Sequence, residues 1–216
     1  MGYNWIVIEL QIESVEKPFD DPVLARRTAH LIGRADAMGL LKDVERIDRL
    51  DGRTLKKVVK SIEKAGIGAA TAPALQKLIE GSGKIEEIIG EINRLSLLLD
   101  ESPTPEHEWP ELIHLLGTDL LSELLGLSVS SIRRYGALQR RTPAEIVDRL
   151  HYVALLVGDL RAGYNEFGIR RWFVRPRTFL GDRSVLQALK KHWKPDDPVP
   201  QAIREDARWL LSTSTS

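Results

Sequence analysis

Leu55, Val58, Val59 and Ile62 fall on one face of a helical turn. Ile85, Ile88, Ile92, Leu95 and Leu99 then follow at alternating steps of three and four. Residues so spaced form one continuous apolar stripe only if the backbone is helical; on a strand they would scatter over both faces. Everything after residue 22 keeps this period, so the expected fold is mainly α and multi-helical. One segment departs from it. In NWIVIELQI, residues 4–12, Ile6, Ile8, Leu10 and Ile12 alternate with Trp5, Val7, Glu9 and Gln11. That is the period-two pattern of a short N-terminal strand with one apolar face. KPFDDP ends it. A lone strand is not stable, so it must pair with another chain or lie on the helices.

Proline and glycine divide the helical part. ESPTPEHEWP, residues 101–110, holds three prolines and predicts a domain boundary. The sequence therefore reads as an N-terminal helical region over 1–105 with no assigned role, a middle region over 106–141 and a C-terminal domain over 142–216. The C-terminal domain opens with RTPAEIVDRL. Thr142 is placed to cap a helix, Pro143 suits its first position and Glu145 completes a capping box. Ile146, Leu150, Val153, Val157, Leu160 and Tyr164 then form a seam like that of a coiled coil. Two readings of the seam stay open, a dimer interface and packing within the chain. No internal repeat is present, and the terminal STSTS is expected to fray.

The middle region carries the clearest pattern, LLSELLGLSVSSIRRYG over 120–136. Leu121 and Leu125 share a face of a first helix, and Gly126 permits the left-handed backbone of a tight turn. Leu127 plugs the corner and Ser128 can cap a second helix, with Ile132 and Tyr135 facing inward. This is the pattern of a helix-turn-helix. Val129, Ser130, Arg133 and Arg134 are left outside, on the helix that such a motif lays in a major groove. Arg can donate two hydrogen bonds to guanine, and Ser can reach a base edge or a phosphate. Arg140 and Arg141 follow and suit backbone phosphates.

Charge agrees with a polyanion partner. Lys plus Arg equal Asp plus Glu at 31 each, but residues 1–125 hold 15 basic and 22 acidic side chains, and residues 126–216 hold 16 and 9. A basic half suits nucleic acid, an acidic half a basic partner. The absence of cysteine excludes disulfides and thiolate zinc sites. No apolar run approaches the roughly 20 residues that span a bilayer, and MGYNWIVIELQIE lacks a basic leader. A cytoplasmic protein is the expectation.

Chemistry-bearing patterns are weak. HEWPELIH separates His107 from His114 by seven positions with Pro110 between, unlike the zinc pattern of two histidines four apart. EGSGK, residues 80–84, lacks the first glycine, the Ser or Thr after lysine and the preceding strand of a phosphate loop. GIGAAT lacks the strand of a dinucleotide fingerprint. No nucleophile, base and acid can be assigned together. Neither catalysis, a cofactor nor a metal is expected.

FGIRRWFVRPRTFLGDRSVLQAL, residues 167–189, resembles the toxin-binding domain of the Xre–MbcA–ParS antitoxin family. That domain has a Trp-apolar pair, a proline and then Leu-Gly-x-x-Ser/Thr-Pro-Leu. The matching residues are Trp172, Phe173, Pro176, Leu180, Gly181, Ser184 and Leu186. Val185 replaces the usual proline, and Arg177 stands where Asn is common. The order of helix-turn-helix, TPAEIVDRL, long helix and motif also looks like the family, over roughly 117–212. The resemblance implies an antitoxin that covers the active site of a RES-domain, NAD-consuming toxin and represses its own operon, as a homo-oligomer or a hetero-oligomer with toxin. The alternative is a stand-alone regulator whose C-terminal domain dimerises or binds a ligand. By their chemistry, Trp172, Phe173, Phe179 and Leu180 suit the core, while Ser184 suits a cap for SVLQALKKHW. Arg170, Arg171, Arg175, Arg177 and Arg183 remain as candidates for acidic groups at a toxin's cleft, or as solvated side chains.

Overall fold

The computed structural model describes residues 12–44, 47–81, 83–161, 163–189 and 191–213, the last four by backbone alone. The expected strand over 4–12 therefore lies, apart from Ile12, outside the described residues. A short N-terminal strand is nonetheless present just beyond it: β1 (Ser14–Val15) pairs in parallel with β2 (Arg49–Leu50). The rest is mainly helical. The chain divides into two compact units, Met1–Ser102 and Pro103–Ser216.

The first unit holds α1 (Pro22–Ala37), α2 (Gly52–Lys64), α3 (Thr71–Glu80) and α4 (Ile85–Asp100). α1 and α2 start where side-chain acceptors meet free backbone donors, while α3 and α4 have no side-chain cap. The Asp21 carboxylate accepts from the amides of Val23 and Leu24, with Pro22 opening α1. Asp51 accepts from the Thr54 amide at 2.7 Å and opens α2. Leu55, Val58, Val59 and Ile62 are buried, as are Ile88, Ile92, Leu95 and Leu99, while Ile85 is half-buried. Arg34 near the end of α1 donates to Asp100 at the end of α4, tying together two helices that also pack on each other.

The second unit holds α5 (Pro105–Leu125), α6 (Val129–Gly136), α7 (Ala144–Leu160), α8 (Glu166–Val174), α9 (Val185–Ala188) and α10 (Pro198–Thr213). The proline-rich stretch is not a linker beyond Thr104. Pro105 takes the first position of α5, where no amide donor is needed. Pro110 is carried inside the helix, forgoing one backbone bond. The real interruption is Gly117, whose φ of 79° and ψ of 159° are open only to glycine. It leaves a short second segment ending at Leu125, the first helix of the expected turn motif.

α7 is the hub. Every residue from Arg149 to Leu160 is buried, and α5 and α10 pack against it. The seam of Ile146, Leu150, Val153, Val157 and Leu160 is thus covered by the chain itself, with Tyr164 beyond the helix half-buried, as packing within the chain requires. The expected cap also differs. Pro143, not Thr142, precedes α7, and no side chain caps it. The Thr142 hydroxyl instead accepts from the Trp109 indole at 2.9 Å, so the capping box does not form.

The charge split read at residue 125 cuts through this unit. Glu106, Glu108, Glu111, Asp119 and Glu123 lie on α5 beside the basic segments. Residues 1–102 hold 15 basic and 17 acidic side chains, and residues 103–216 hold 16 and 14. Glu108, fully buried, lies 2.6 Å from His151 Nδ1. Glu111 accepts from Arg161 at 2.8 Å. Neither unit is strongly charged as a whole, and function must be sought in local patches. No helix among the described residues is long and apolar enough to cross a membrane.

Candidate functional site

The turn between α5 and α6 folds as its sequence implies. Gly126 adopts φ 68° and ψ 33°, the left-handed conformation that ends α5. The Leu127 amide returns to the Ser122 carbonyl at 2.9 Å, and Leu127 is half-buried in the corner. Ser128 caps α6 by accepting from the Ser131 amide. Leu121, Leu125, Ile132 and Tyr135 are buried. A Cβ at Gly126 would meet nothing nearer than 3.7 Å, so only backbone strain opposes a side chain. Gly126→Ala is expected to destabilise the unit by about 1–2 kcal/mol. Urea unfolding measures this, and an unchanged midpoint would contradict it.

The outer face of α6 carries the DNA candidates. Arg133 and Arg134 are exposed, and neither meets a carboxylate among the described residues. Ser130 is exposed, its hydroxyl 3.0 Å from that of Ser128. Val129 is half-buried and offers the least. Arg140 is exposed, with its guanidinium 5.8 Å from the centre of the Tyr135 ring. Arg141 is exposed and borders an open pocket with Thr142, Pro143 and Asp148. All four arginines thus sit on α6 or within five residues of its end.

Three residues that sequence reasoning passed over hold this surface in place. Trp109 is fully buried and stacks on Tyr135, with ring centres 5.4 Å apart, while its indole N–H holds Thr142. The last carbonyls of a helix lack partners within it. Here Leu124 accepts from the Trp193 indole at 2.8 Å and Leu125 from Arg149 at 2.7 Å. The buried Arg149 charge also suits the negative end of α5. Trp109 lay within the proline-rich stretch expected to mark a domain boundary. An arginine among apolar residues of α7 was the signal for Arg149.

The C-terminal motif is a folded element. Asn165 caps α8, burying Ile169, Trp172 and Phe173. Two short antiparallel strands follow, β3 (Pro176–Arg177) and β4 (Arg183–Ser184), joined by a tight 3-10 turn at Thr178–Leu180 and by Gly181 at φ 64°. Ser184 and Gln187 form a capping box. The helix it starts is only α9, four residues long, rather than the whole of SVLQALKKHW. Leu180 is buried, but Phe179, expected in the core, is 44% exposed because the turn points it outward.

The five candidate arginines here separate. Arg171 and Arg175 are exposed. Arg170 is exposed and reaches Glu166 at 3.4 Å, and Arg183 is exposed but donates to the Leu180 carbonyl at 3.0 Å. Arg177 is half-buried. Its guanidinium lies 4.7 Å from the centre of the Trp172 ring and donates to the Trp172 carbonyl at 3.5 Å. It braces the motif, and is not one of the freely solvated side chains. Burial pushes the Asp206 carboxyl above its usual range, while the Arg177 charge pulls it back. Burial likewise lowers the Arg177 pKa, opposed first by Asp206.

A carboxyl whose folded pKa is raised adds stability below its unfolded value. That stability is lost as pH rises through the folded value. Asp206→Asn is therefore expected to flatten the fall in stability between the ordinary aspartate range and neutrality. Urea midpoints across that range measure it, and an unaltered slope would contradict it.

Compared with protein-family models, curated proteins and solved structures, the chain matches none. His107 is half-buried and His114 exposed. Among the described residues no group of three His, Asp or Glu side chains is placed to hold a metal ion.

Proposed function

We propose that the chain is a DNA-binding antitoxin, a non-catalytic cytoplasmic protein that neutralises a RES-domain toxin by covering its active site and represses its own operon. The observation that carries the reading is the exposed Arg133–Arg134 pair on a capped helix, anchored within the same compact unit as the Trp172–Leu186 motif. Specific duplex readers place such a helix in the major groove, where a guanine offers two acceptors to one guanidinium. Arg140 and Arg141, just beyond the helix, suit the flanking phosphates. Along α8 and just past its end, Arg170, Arg171 and Arg175 share an exposed stretch with Phe167 and Val174. Arginine mixed with exposed apolar side chains is the composition of protein interfaces. A toxin held this way is blocked by coverage, with no residue acting chemically.

Co-expression with the product of the adjacent reading frame, followed by sizing and an assay of NAD consumption, tests the proposal. A stable complex with suppressed consumption is expected. A chain that binds its own upstream DNA yet takes no partner is instead a stand-alone regulator.

A further inference from the structure

The first unit carries a surface that the proposed function does not use. α2 holds Arg53, Lys56, Lys57, Lys60 and Lys64 against one acid, Glu63, within a unit whose acidic side chains outnumber its basic ones. At about 100° per residue, Arg53, Lys57, Lys60 and Lys64 fall within an arc of roughly 60°. Leu55, Val58, Val59 and Ile62 lie on the opposite side and are fully buried. All four cations of the stripe are exposed. Arg53, Lys57 and Lys60 meet no carboxylate among the described residues, and Lys64 lies 3.8 Å from an exposed Asp43. Lys56, to one side, is half-buried and bonded to Glu80.

We infer that this stripe on α2 is a second, sequence-independent binding surface for the phosphate backbone of duplex DNA. Four cations repeat every three to four residues over about 16 Å of a rigid helix. A duplex presents one negative charge per about 1.7 Å of its axis, so each cation has a phosphate in reach. The stripe offers charge and no shape for reading bases, which fits backbone contact. An anionic membrane is a poorer match. Helices that bind lipid insert an apolar face, and the apolar face of α2 is buried within its own unit. Because both units belong to one chain, a duplex held by the stripe raises the local concentration for α6.

The test is fluorescence anisotropy of a scrambled-sequence duplex against the full chain over a salt series. The comparison is with the variant Arg53→Gln, Lys57→Gln, Lys60→Gln, Lys64→Gln. Exposed glutamines keep helix propensity, and circular dichroism checks the fold. Each phosphate contact contributes about 0.9 to the slope of log affinity against log salt. The variant is therefore expected to lose three to four units of slope, and a Lys57→Arg, Lys60→Arg, Lys64→Arg variant to keep them. Equal slopes for wild type and the glutamine variant would overturn the inference, as would binding to phosphatidylserine vesicles without binding to the duplex. Arg133→Ala/Arg134→Ala, measured alongside on upstream DNA, reports on the helix-turn-helix separately, so either surface can fail alone.

Discussion

Replacing Arg133 and Arg134 together with Ala is expected to abolish preference for the operator while leaving toxin neutralisation intact. Both side chains are exposed and bonded to no carboxylate among the described residues, so their loss should leave stability within about 0.5 kcal/mol. Each guanidinium that pairs with a guanine is worth about 1–3 kcal/mol of discrimination. Losing both should cut the ratio of specific to scrambled binding by roughly 30-fold to 10⁴-fold. Competition between upstream and scrambled duplexes measures that ratio, and inhibition of the toxin measures the rest. Retained selectivity would remove α6 from the role. Lost neutralisation with an intact fold would show that the two roles share one surface.

Truncating the chain after Arg177 is expected to release the toxin and to abolish DNA binding as well. The resemblance assigns these residues to partner binding, and the structure also makes them part of the core. The cut removes Trp193, whose indole holds the end of α5, and α10, whose Ile203 and Ala207 are fully buried. It also removes the Pro200 carbonyl that accepts from the Tyr152 hydroxyl at 2.6 Å. Asp159, whose side chain is fully buried, would lose Arg204 and Arg208. Uncovering the face of α7 that α10 buries removes a large share of a total stability of about 5–15 kcal/mol. Thermal unfolding and operator binding of the truncated chain test this. A truncated chain with a native melt and wild-type operator affinity would show that the end of the chain is dispensable to the fold.

This entanglement also governs how stability and recognition relate. α6 is short, eight residues, and such a helix has little stability of its own. Its placement comes from Tyr135 against Trp109 and from the anchoring of α5 by Arg149 and Trp193. Altering any of these should weaken DNA binding without touching a base.

The periodic stripes were legible because burial of one face is a local demand. Leu55 to Ile62 and Ile88 to Leu99 are core wherever their helices pack. The corner at Gly126 was legible for the same reason, since glycine takes the left-handed conformation that ends α5 at the least cost. Where neighbours compete for a group, the sequence misled. Thr142 suited a cap, but the Trp109 indole took its hydroxyl. The seam of α7 suited a partner copy as well as packing within the chain, and α5 and α10 cover it. Phe179 suited the core, but the turn at Thr178–Leu180 faces outward. Arg177 looked like its neighbours until Trp172 came within reach.

The sequence by itself determined the helical class, the turn at Gly126 and the exposure of Arg133 and Arg134, because periodicity and glycine act within a few residues. Only the tertiary structure decided that the C-terminal motif and the helix-turn-helix share one core, and that the cations of α2 meet so few carboxylates from its neighbours. The first depends on hydrogen bonds between residues as far apart as Leu124 and Trp193. The second depends on where the carboxylates of neighbouring elements come to lie, with Asp43 3.8 Å from Lys64 and Glu80 bonded to Lys56.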